Sequence, residues 1–484
     1  MTELAPPSYD GFGDEALINS SHAALSDLPV YTRRPTPPPA AQVNREPKEF
    51  TYEIKNRGGT PWATLTVHGD PRLTKAIPTI MEGSNLVGSV KLALRSAEAI
   101  QAICVLIKGE VMQGGPAAVP LVFLESKHTL WSAADGDPQA PENLGKSVLK
   151  LQGDYHWPFS IALPTTLTKD SETYRLPHTF LDRLASFSVR YVAEMRIVRG
   201  KLRPDDKLTC KFGYFSMAQP GPPSALRQLA YQENSPLFGP ESDPSGWESQ
   251  SSSLKGIVFS SRAIEVKFTF SLAKPLSYTR SASIPCALTI ETNDRQALDL
   301  LSSPSASMVY LERGFYEKKD IFRNTIEPCG QAVFWPSTEG APEESSYRRR
   351  LMGEIHLRAN LQPSSAVCGF QVEYAVVVFP FQAAAFKPIG VDNAPLLRQA
   401  VEITTRYAPG PRQKTYTPPT YEARNSIVDY YYYALVIENA QKSGRSKLKF
   451  LSHQRFGYAD IGLNRDKGGR ARGGRGSLLQ SGFM

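Results

Sequence analysis

Two short motifs of the same form lie near the two ends of the chain. Each has two prolines, one small hydroxyl residue and a tyrosine followed by an acid, as in PPSYD at residues 6–10 and PPTYE at residues 418–422. Adjacent prolines favour the polyproline II conformation, so little entropy is lost when their rings enter an aromatic groove. These residues therefore predict peptide docking to WW domains. The predicted contact residues are Pro6, Pro7, Tyr9, Pro418, Pro419 and Tyr421.

A related string, Leu28-Pro29-Val30-Tyr31, lies in the same N-terminal region and has leucine at the position of the first proline. It is a weaker candidate for the same kind of docking, through Leu28, Pro29 and Tyr31. Proline-rich segments also contain such strings by chance, and this alternative stays open for all three copies. The sequence thus predicts two binding motifs and one weaker copy.

The residue patterns that support catalysis or metal binding are missing from the sequence. The closest approach to a phosphate-binding loop is GSNLVGS at residues 83–89, which has Ser89 where such a loop needs lysine. The seven histidines show no metal-binding spacing, and no Gly-x-Ser-x-Gly nucleophile motif occurs. We therefore predict no catalytic residue, no metal site and no cofactor, and we expect that the chain is not an enzyme.

The cysteines and the lengths of the apolar runs indicate the cellular compartment in which the protein lies. The five cysteines are an odd number without Cys-x-x-Cys spacing, and most lie in apolar, strand-like runs. This favours buried, reduced thiols over disulfides or a zinc site. The N-terminus lacks the apolar region of a secretion signal, and no apolar run reaches the roughly 18 residues of a membrane span. The sequence thus predicts a cytoplasmic protein.

The positive charge is concentrated at the C-terminal end. The chain has a formal net charge of +8, and residues 442–484 carry ten lysines and arginines against two aspartates, which accounts for all of it. The remainder of the chain is therefore close to neutral. A basic, Gly/Arg-rich end is typical of a solvated tail with weak nonspecific attraction. Weak contact with an anionic membrane surface is the second interpretation, and nucleic-acid binding is the disfavoured one.

From Phe50 the sequence changes to short alternating or continuously apolar runs, separated by Gly, Pro, Asn and Asp. Examples are ATLTVHG, LVGSVKLAL, FSVRYVAEMRIV and GFQVEYAVVVFPF. Short strands at regular intervals, with turn residues between them, predict an all-β fold. TFLDRLASF, around Leu181, is the exception, and the repeated amphipathic helices that an α/β sheet needs do not occur.

Two strand-rich blocks of similar length follow each other, which predicts two tandem immunoglobulin-like β-sandwich lobes. Pro, Ser and charged residues dominate the segments outside them, which predicts disordered N- and C-terminal tails. The predicted organisation is a Pro-rich arm at 1–48, a first lobe at 49–218, a linker at 219–253, a second lobe at 254–408 and a tail at 409–484.

Several of these segments resemble, in their order and spacing, the strands of the α-arrestins, the arrestin-related trafficking adaptors. They include Asn85–Val111, Leu151–Pro164 and Ser188–Gly200 in the first lobe and Gly353–Pro380 in the second. The resemblance extends over about residues 50–408 and includes the second motif. It implies the arrestin fold for both lobes.

The resemblance also implies the function of a non-catalytic adaptor. Such proteins bind cytoplasmic segments of membrane transporters or receptors and recruit HECT-type ubiquitin ligases through WW domains, so that the cargo is ubiquitinated and endocytosed. It implies a cytoplasmic protein that is recruited to the plasma membrane and endosomes. Family copies of the motif more often follow the second lobe, so the first motif, which ends at Tyr9, departs from that pattern. The alternative is an arrestin-like signalling scaffold, for a receptor or a pH sensor, without ligase recruitment.

Overall fold

The structure, a computed structural model, describes residues 46–418 except for 75, 115–118, 140–149, 170, 201–202, 319–323, 339–346 and 392–393. All described helices and strands belong to one compact unit of the chain. The fold is all-β, as predicted, with large curled sheets that form sandwich-like lobes. The described residues include only two α-helices, α1 (Ala225–Glu233) and α2 (Arg295–Leu301).

The first lobe contains eleven described strands. They are β1 (Lys48–Lys55), β2 (Pro61–Gly69), β3 (Thr79–Met81), β4 (Leu86–Glu98), β5 (Ile100–Gln113), β6 (Leu121–Ser132), β7 (Leu151–Ile161), β8 (Thr166–Lys169), β9 (Glu172–Arg175), β10 (Phe187–Arg199) and β11 (Asp206–Phe215). One sheet has the order β1-β2-β4-β7 and a second has the order β3-β11-β10-β5-β6, while β8 and β9 form a hairpin. All neighbours are antiparallel except β3 and β11.

The second lobe contains the other eleven described strands. They are β12 (Trp247–Val258), β13 (Arg262–Ala273), β14 (Ser277–Thr279), β15 (Ser283–Glu291), β16 (Val309–Glu317), β17 (Thr325–Pro336), β18 (Arg348–His356), β19 (Ser365–Val367), β20 (Phe370–Val378), β21 (Phe386–Ile389) and β22 (Leu397–Thr404). Their order is β14-β22-β20-β16-β17-β18-β15-β13-β12-β21, with β19 beside β20. Within the described residues, no strand of this lobe pairs with a strand of the first.

Strand β17 closes the second lobe into a sandwich. Its residues up to Gln331 pair with β16, and those from Ala332 onward pair with β18. A strand that changes its partner in this way carries the hydrogen-bonded sheet around a corner. The two halves of the long sheet can therefore face each other across one core.

The alternation of side chains explains why the predicted runs form these strands. In β2, Ala63, Leu65 and Val67 are fully buried, while the threonines between them face the other side of the sheet. Successive side chains of a strand point to opposite faces, so a period of two buries one row. The core that results continues from one lobe into the other.

Two segments differ from simple connections. The region predicted as a linker, 219–253, contains α1 and the first half of β12. Helix α1 begins after Ser224, whose side chain accepts a hydrogen bond from the Arg227 amide, and it ends at Asn234 in the left-handed conformation. TFLDRLASF is irregular apart from one isolated bridge at Phe180 and the start of β10.

Candidate functional site: the anchored segment before the second motif

The structure describes only one residue of the predicted binding motifs. Pro418 is half-buried and is the last residue described. The remaining motif positions lie outside the described residues. They are Pro6, Pro7, Tyr9, Leu28, Pro29, Tyr31, Pro419 and Tyr421. The described residues therefore show how the chain reaches Pro418.

Residues 412–418, here called the anchor segment, lie against the second lobe, although the sequence assigns them to the tail. Their main contact is the side chain of Glu354 in β18, which has 0% of its surface exposed. The Tyr416 amide donates to both carboxylate oxygens, at 3.0 and 3.1 Å, and the Thr417 amide donates to Oε2 at 3.0 Å. The Thr417 hydroxyl donates to the same Oε2 at 2.7 Å. One carboxylate thus accepts four hydrogen bonds from two consecutive residues.

Neighbouring side chains on the same sheet face extend this contact. His356 follows Glu354 by two positions in β18, and it pairs in register with Ser283 of β15. The His356 Nε2 lies 2.9 Å from the Thr417 hydroxyl oxygen, and the Gln413 side-chain Nε2 donates to the Ser283 carbonyl at 2.5 Å. Because the Thr417 hydroxyl hydrogen points at Glu354, the His356 Nε2 is the donor. A groove formed by adjacent strands therefore holds residues 413–417.

Helix α1 forms one wall of this groove. The Tyr416 ring stacks on Tyr231 at a centroid distance of 6.3 Å, and its hydroxyl donates to the Ala230 carbonyl at 3.3 Å. Burial and the nearby Glu354 carboxylate raise the pKa of Tyr416, since both disfavour a second negative charge. The segment between the lobes and the segment after the second lobe thus cover one sheet face together.

The burial of Glu354 is unusual because no described lysine or arginine forms an ion pair with it. A buried carboxylate is costly unless it is paired or fully hydrogen-bonded. Consecutive backbone N–H groups form a small cradle for an anion, and hydrogen bonds to a charged acceptor are stronger than neutral ones. The charge of Glu354 is therefore stabilised mainly by the anchor segment.

A second buried charged group lies where the two lobes meet. Arg313 in β16 contacts Asp182 of the first lobe at 3.0 Å, and its Nε donates to Glu327 of β17 at 2.7 Å. Burial raises the pKa of Glu327, and Arg313 opposes that effect. We call this group, with four adjoining phenylalanine rings, the interlobe cluster. The rings are Phe180, Phe187, Phe315 and Phe370, with Phe187 and Phe370 only 4.9 Å apart.

His178 lies at another part of this boundary between the lobes. Its Nδ1 accepts a hydrogen bond of 3.2 Å from the Ser216 amide, and its ring meets Phe215 edge-on. Burial, with a smaller contribution from the nearby Arg280 guanidinium, lowers the pKa of His178 from 6.5 to about 4. The imidazole is therefore neutral at physiological pH.

A cleft of about 600 Å³ lies at the N-terminal end of α1. Its polar side chains already have partners. Asp243 accepts hydrogen bonds from Ser224 and Gly246, and Lys274 forms an ion pair of 3.0 Å with Glu248. In the described part of the chain, no cluster of three or more histidine, cysteine or acidic side chains is arranged to hold a metal ion. The five cysteines are all free, and four of them are buried.

Sequence reasoning did not identify Glu354, His356 or Thr417. The signal that could have found Glu354 is its position in LMGEIH, where an isolated acid interrupts an apolar strand segment. An acid at such a place requires a partner when the strand is covered on both faces. The partner is 63 residues away in the sequence, so no local pattern indicates it.

No family model matches the sequence, and no curated protein matches it. Of the helices that the structure describes, none has the length and apolar character that crossing a membrane requires.

Proposed function

We propose that this chain is an arrestin-like, non-catalytic adaptor that links membrane transporters or receptors to a WW-domain HECT-type ubiquitin ligase. The sequence support is the pair of Pro-Pro-x-Tyr motifs and the resemblance of the strand segments to α-arrestins. The structural support is the all-β architecture with sandwich-like lobes, which is compatible with that resemblance. On this proposal the lobes bind the cytoplasmic segment of the cargo and the motifs bind the ligase.

One observation carries the ligase part of the proposal: the second motif begins where the anchor segment ends. The contacts of Tyr416 and Thr417 with Glu354 fix the chain immediately before Pro418. A motif that follows a fixed point on the second lobe has a defined position relative to anything bound to the lobes. Such a position suits an adaptor, because a ligase has to reach lysines on the cargo.

In the cell, we place the adaptor in the cytoplasm and, with its cargo, at the plasma membrane and endosomes. The ten basic residues at 442–484 would add weak attraction to an anionic leaflet. This attraction raises the local concentration of the adaptor near membrane cargo without specifying which cargo is bound.

Pull-down of the full chain by isolated WW domains tests the proposal. We expect Tyr421→Ala to lower the captured amount strongly, because the tyrosine ring fills its own pocket. The combination with Tyr9→Ala should leave at most the weak capture that the copy ending at Tyr31 provides. Thr420→Ala and Ser8→Ala are matched controls at the variable position of each motif and should retain capture. Undiminished capture by the Tyr9→Ala, Tyr421→Ala double variant would contradict the proposal.

The alternative of a scaffold without ligase recruitment gives a different result in reconstitution. With the ligase, its ubiquitin-charging enzymes and a membrane cargo, the adaptor proposal predicts cargo ubiquitination that requires Tyr421. Cargo that binds the lobes and stays unmodified by a WW-bound ligase would favour the scaffold.

A further inference from the structure

The anchor segment and the second motif share one residue, and this has a consequence for binding. Pro418 is the first proline of the motif, and it is half-buried at the end of a segment held in the groove around Glu354. We propose that this groove is a binding site for the chain's own residues 413–418 and that it competes with a WW domain for Pro418. The inference rests on the proposed function, since it concerns how the same motif is regulated.

The competition follows from burial. A WW domain accepts both proline rings in its aromatic groove, so it must approach Pro418 closely. Thr417, the preceding residue, is only 7% exposed, and both its amide and its hydroxyl are bound to Glu354. A second protein cannot surround Pro418 while Thr417 stays in the groove. Docking of the WW domain therefore requires that the end of the anchor segment leave the lobe.

The free energy needed to release the anchor segment lowers the apparent affinity of the second motif for a WW domain. When only a fraction of the molecules has the binding-competent conformation, the apparent dissociation constant rises by the inverse of that fraction. The anchor segment is held mainly by polar contacts, and four of its hydrogen bonds go to the Glu354 carboxylate. His356 and Ser283 add further polar contacts, and Tyr231 adds an aromatic contact. A change at Glu354 should therefore shift the equilibrium.

Glu354→Gln is the sharpest change that the structure offers. Both carboxylate oxygens accept hydrogen bonds from the anchor segment. In glutamine one of these positions becomes an NH₂ group, which faces the N–H donors of the segment whichever way the amide is turned. The substitution keeps the size of the side chain and removes the charge, so it weakens the groove contact without leaving a cavity.

A titration of one isolated WW domain tests the proposal. The ligands are a synthetic peptide of residues 411–425 and the full chain in which Tyr9→Ala and Tyr31→Ala silence the N-terminal copies. We expect the peptide to bind about tenfold or more tightly than this chain. Adding Glu354→Gln to the chain should bring its affinity to within about threefold of the peptide. Glu265→Gln, at an exposed position of β13, is the matched control and should change nothing.

Equal affinities of the peptide and the chain, with no gain from Glu354→Gln, would overturn the competition while leaving the adaptor function intact. A peptide that binds no WW domain would overturn both. If Glu354→Gln impairs folding, as judged by circular dichroism, Thr417→Val tests the same contact from the other side. A peptide of residues 411–425 that carries Thr417→Val then shows any direct effect of the substitution on WW-domain binding. The Thr417→Val chain should bind with nearly the affinity of that peptide.

Discussion

The interlobe cluster and the groove around Glu354 both bury charge, but they do so by different means. In the interlobe cluster, Arg313 is paired with two acids and lies over the Phe315 ring, which belongs to a group of four packed phenylalanine rings. In the groove, Glu354 has no described cation and depends on hydrogen bonds from residues 416 and 417. The burial of apolar surface adds to the free energy of unfolding. Hydrogen bonds within the protein add less, because the same groups form hydrogen bonds with water when the contact is broken.

This difference indicates which contact persists and which exchanges. Separating the lobes would expose aromatic surface and several charges at the same time. Releasing the anchor segment exposes one carboxylate and one tyrosine ring, and water replaces the lost hydrogen bonds. We therefore expect the lobe boundary to be a permanent part of the fold and the groove to open reversibly. Four substitutions test this comparison, in order of decreasing effect on the free energy of unfolding.

Phe187→Ala should have the largest effect. The side chain contacts Phe180, Phe315 and Phe370, so its removal leaves a cavity that both lobes line. We expect a loss of about 3–5 kcal/mol in the free energy of unfolding, measured by urea denaturation. Phe259→Ala, at a phenylalanine that is 47% exposed, is the control and should cost far less. Equal losses for the two variants would show that the cluster is not part of the core.

Arg313→Met should cost roughly 2–3 kcal/mol, since it leaves Asp182 and Glu327 partly buried without their cation. Burial already raises the pKa of Glu327, and Arg313 is the largest opposing influence. A group whose pKa is raised on folding destabilises the fold in its charged form, so the loss should be greater at pH 7 than at pH 4.5. A loss of the same size at both pH values would contradict the assignment.

His178 should make the lobe boundary respond to pH in the opposite sense. Its pKa is about 4 in the folded chain and 6.5 when unperturbed, so the unfolded state takes up the proton first as the pH falls. The stability present above pH 6.5 is lost progressively between pH 6.5 and 4, by about 3 kcal/mol. His178→Gln should flatten this part of the stability profile, because glutamine does not titrate. The glutamine amide oxygen can still accept the hydrogen bond from the Ser216 amide. An unchanged profile would rule out this role for His178.

Glu354→Gln should have the smallest effect on global unfolding, about 1 kcal/mol or less, because the groove is outside the core. Its effect should appear in limited proteolysis, with faster tryptic cleavage after Arg412 and Lys414, read by mass spectrometry. Glu265→Gln again serves as the control. A rate of cleavage that does not change would mean that Glu354 does not hold the segment.

The sequence was sufficient for the fold class because the decisive signal is local. Strands such as β2 and β10 alternate apolar and polar side chains, and that pattern predicts a half-buried strand. The same pattern does not indicate β6, an edge strand that carries the charged residues Glu125 and Lys127. It also does not indicate β17, which contains Pro328 and Gly330. In TFLDRLASF the apolar spacing does not produce a helix, because Phe180 packs into the interlobe cluster and Asp182 binds Arg313.

The candidate site was predictable only in part. The motif at Pro418 follows from two prolines and a tyrosine at fixed spacing, which a single sequence displays. The groove could not be predicted in this way, because Glu354, Ser283 and Tyr231 come from three separate elements and meet only after the second lobe has folded. Long-range hydrogen bonds to one carboxylate have no periodicity that a sequence could reveal.

Hydrogen exchange at the Tyr416 and Thr417 amides tests the central claim most directly, since both amides are bound to Glu354. In the free chain we predict slow exchange at both, and in the Glu354→Gln variant fast exchange. Addition of a saturating WW domain should make both amides exchange as fast as in that variant, because the domain and the groove compete for Pro418. Amides that stay protected while the WW domain is bound at the second motif would contradict the account.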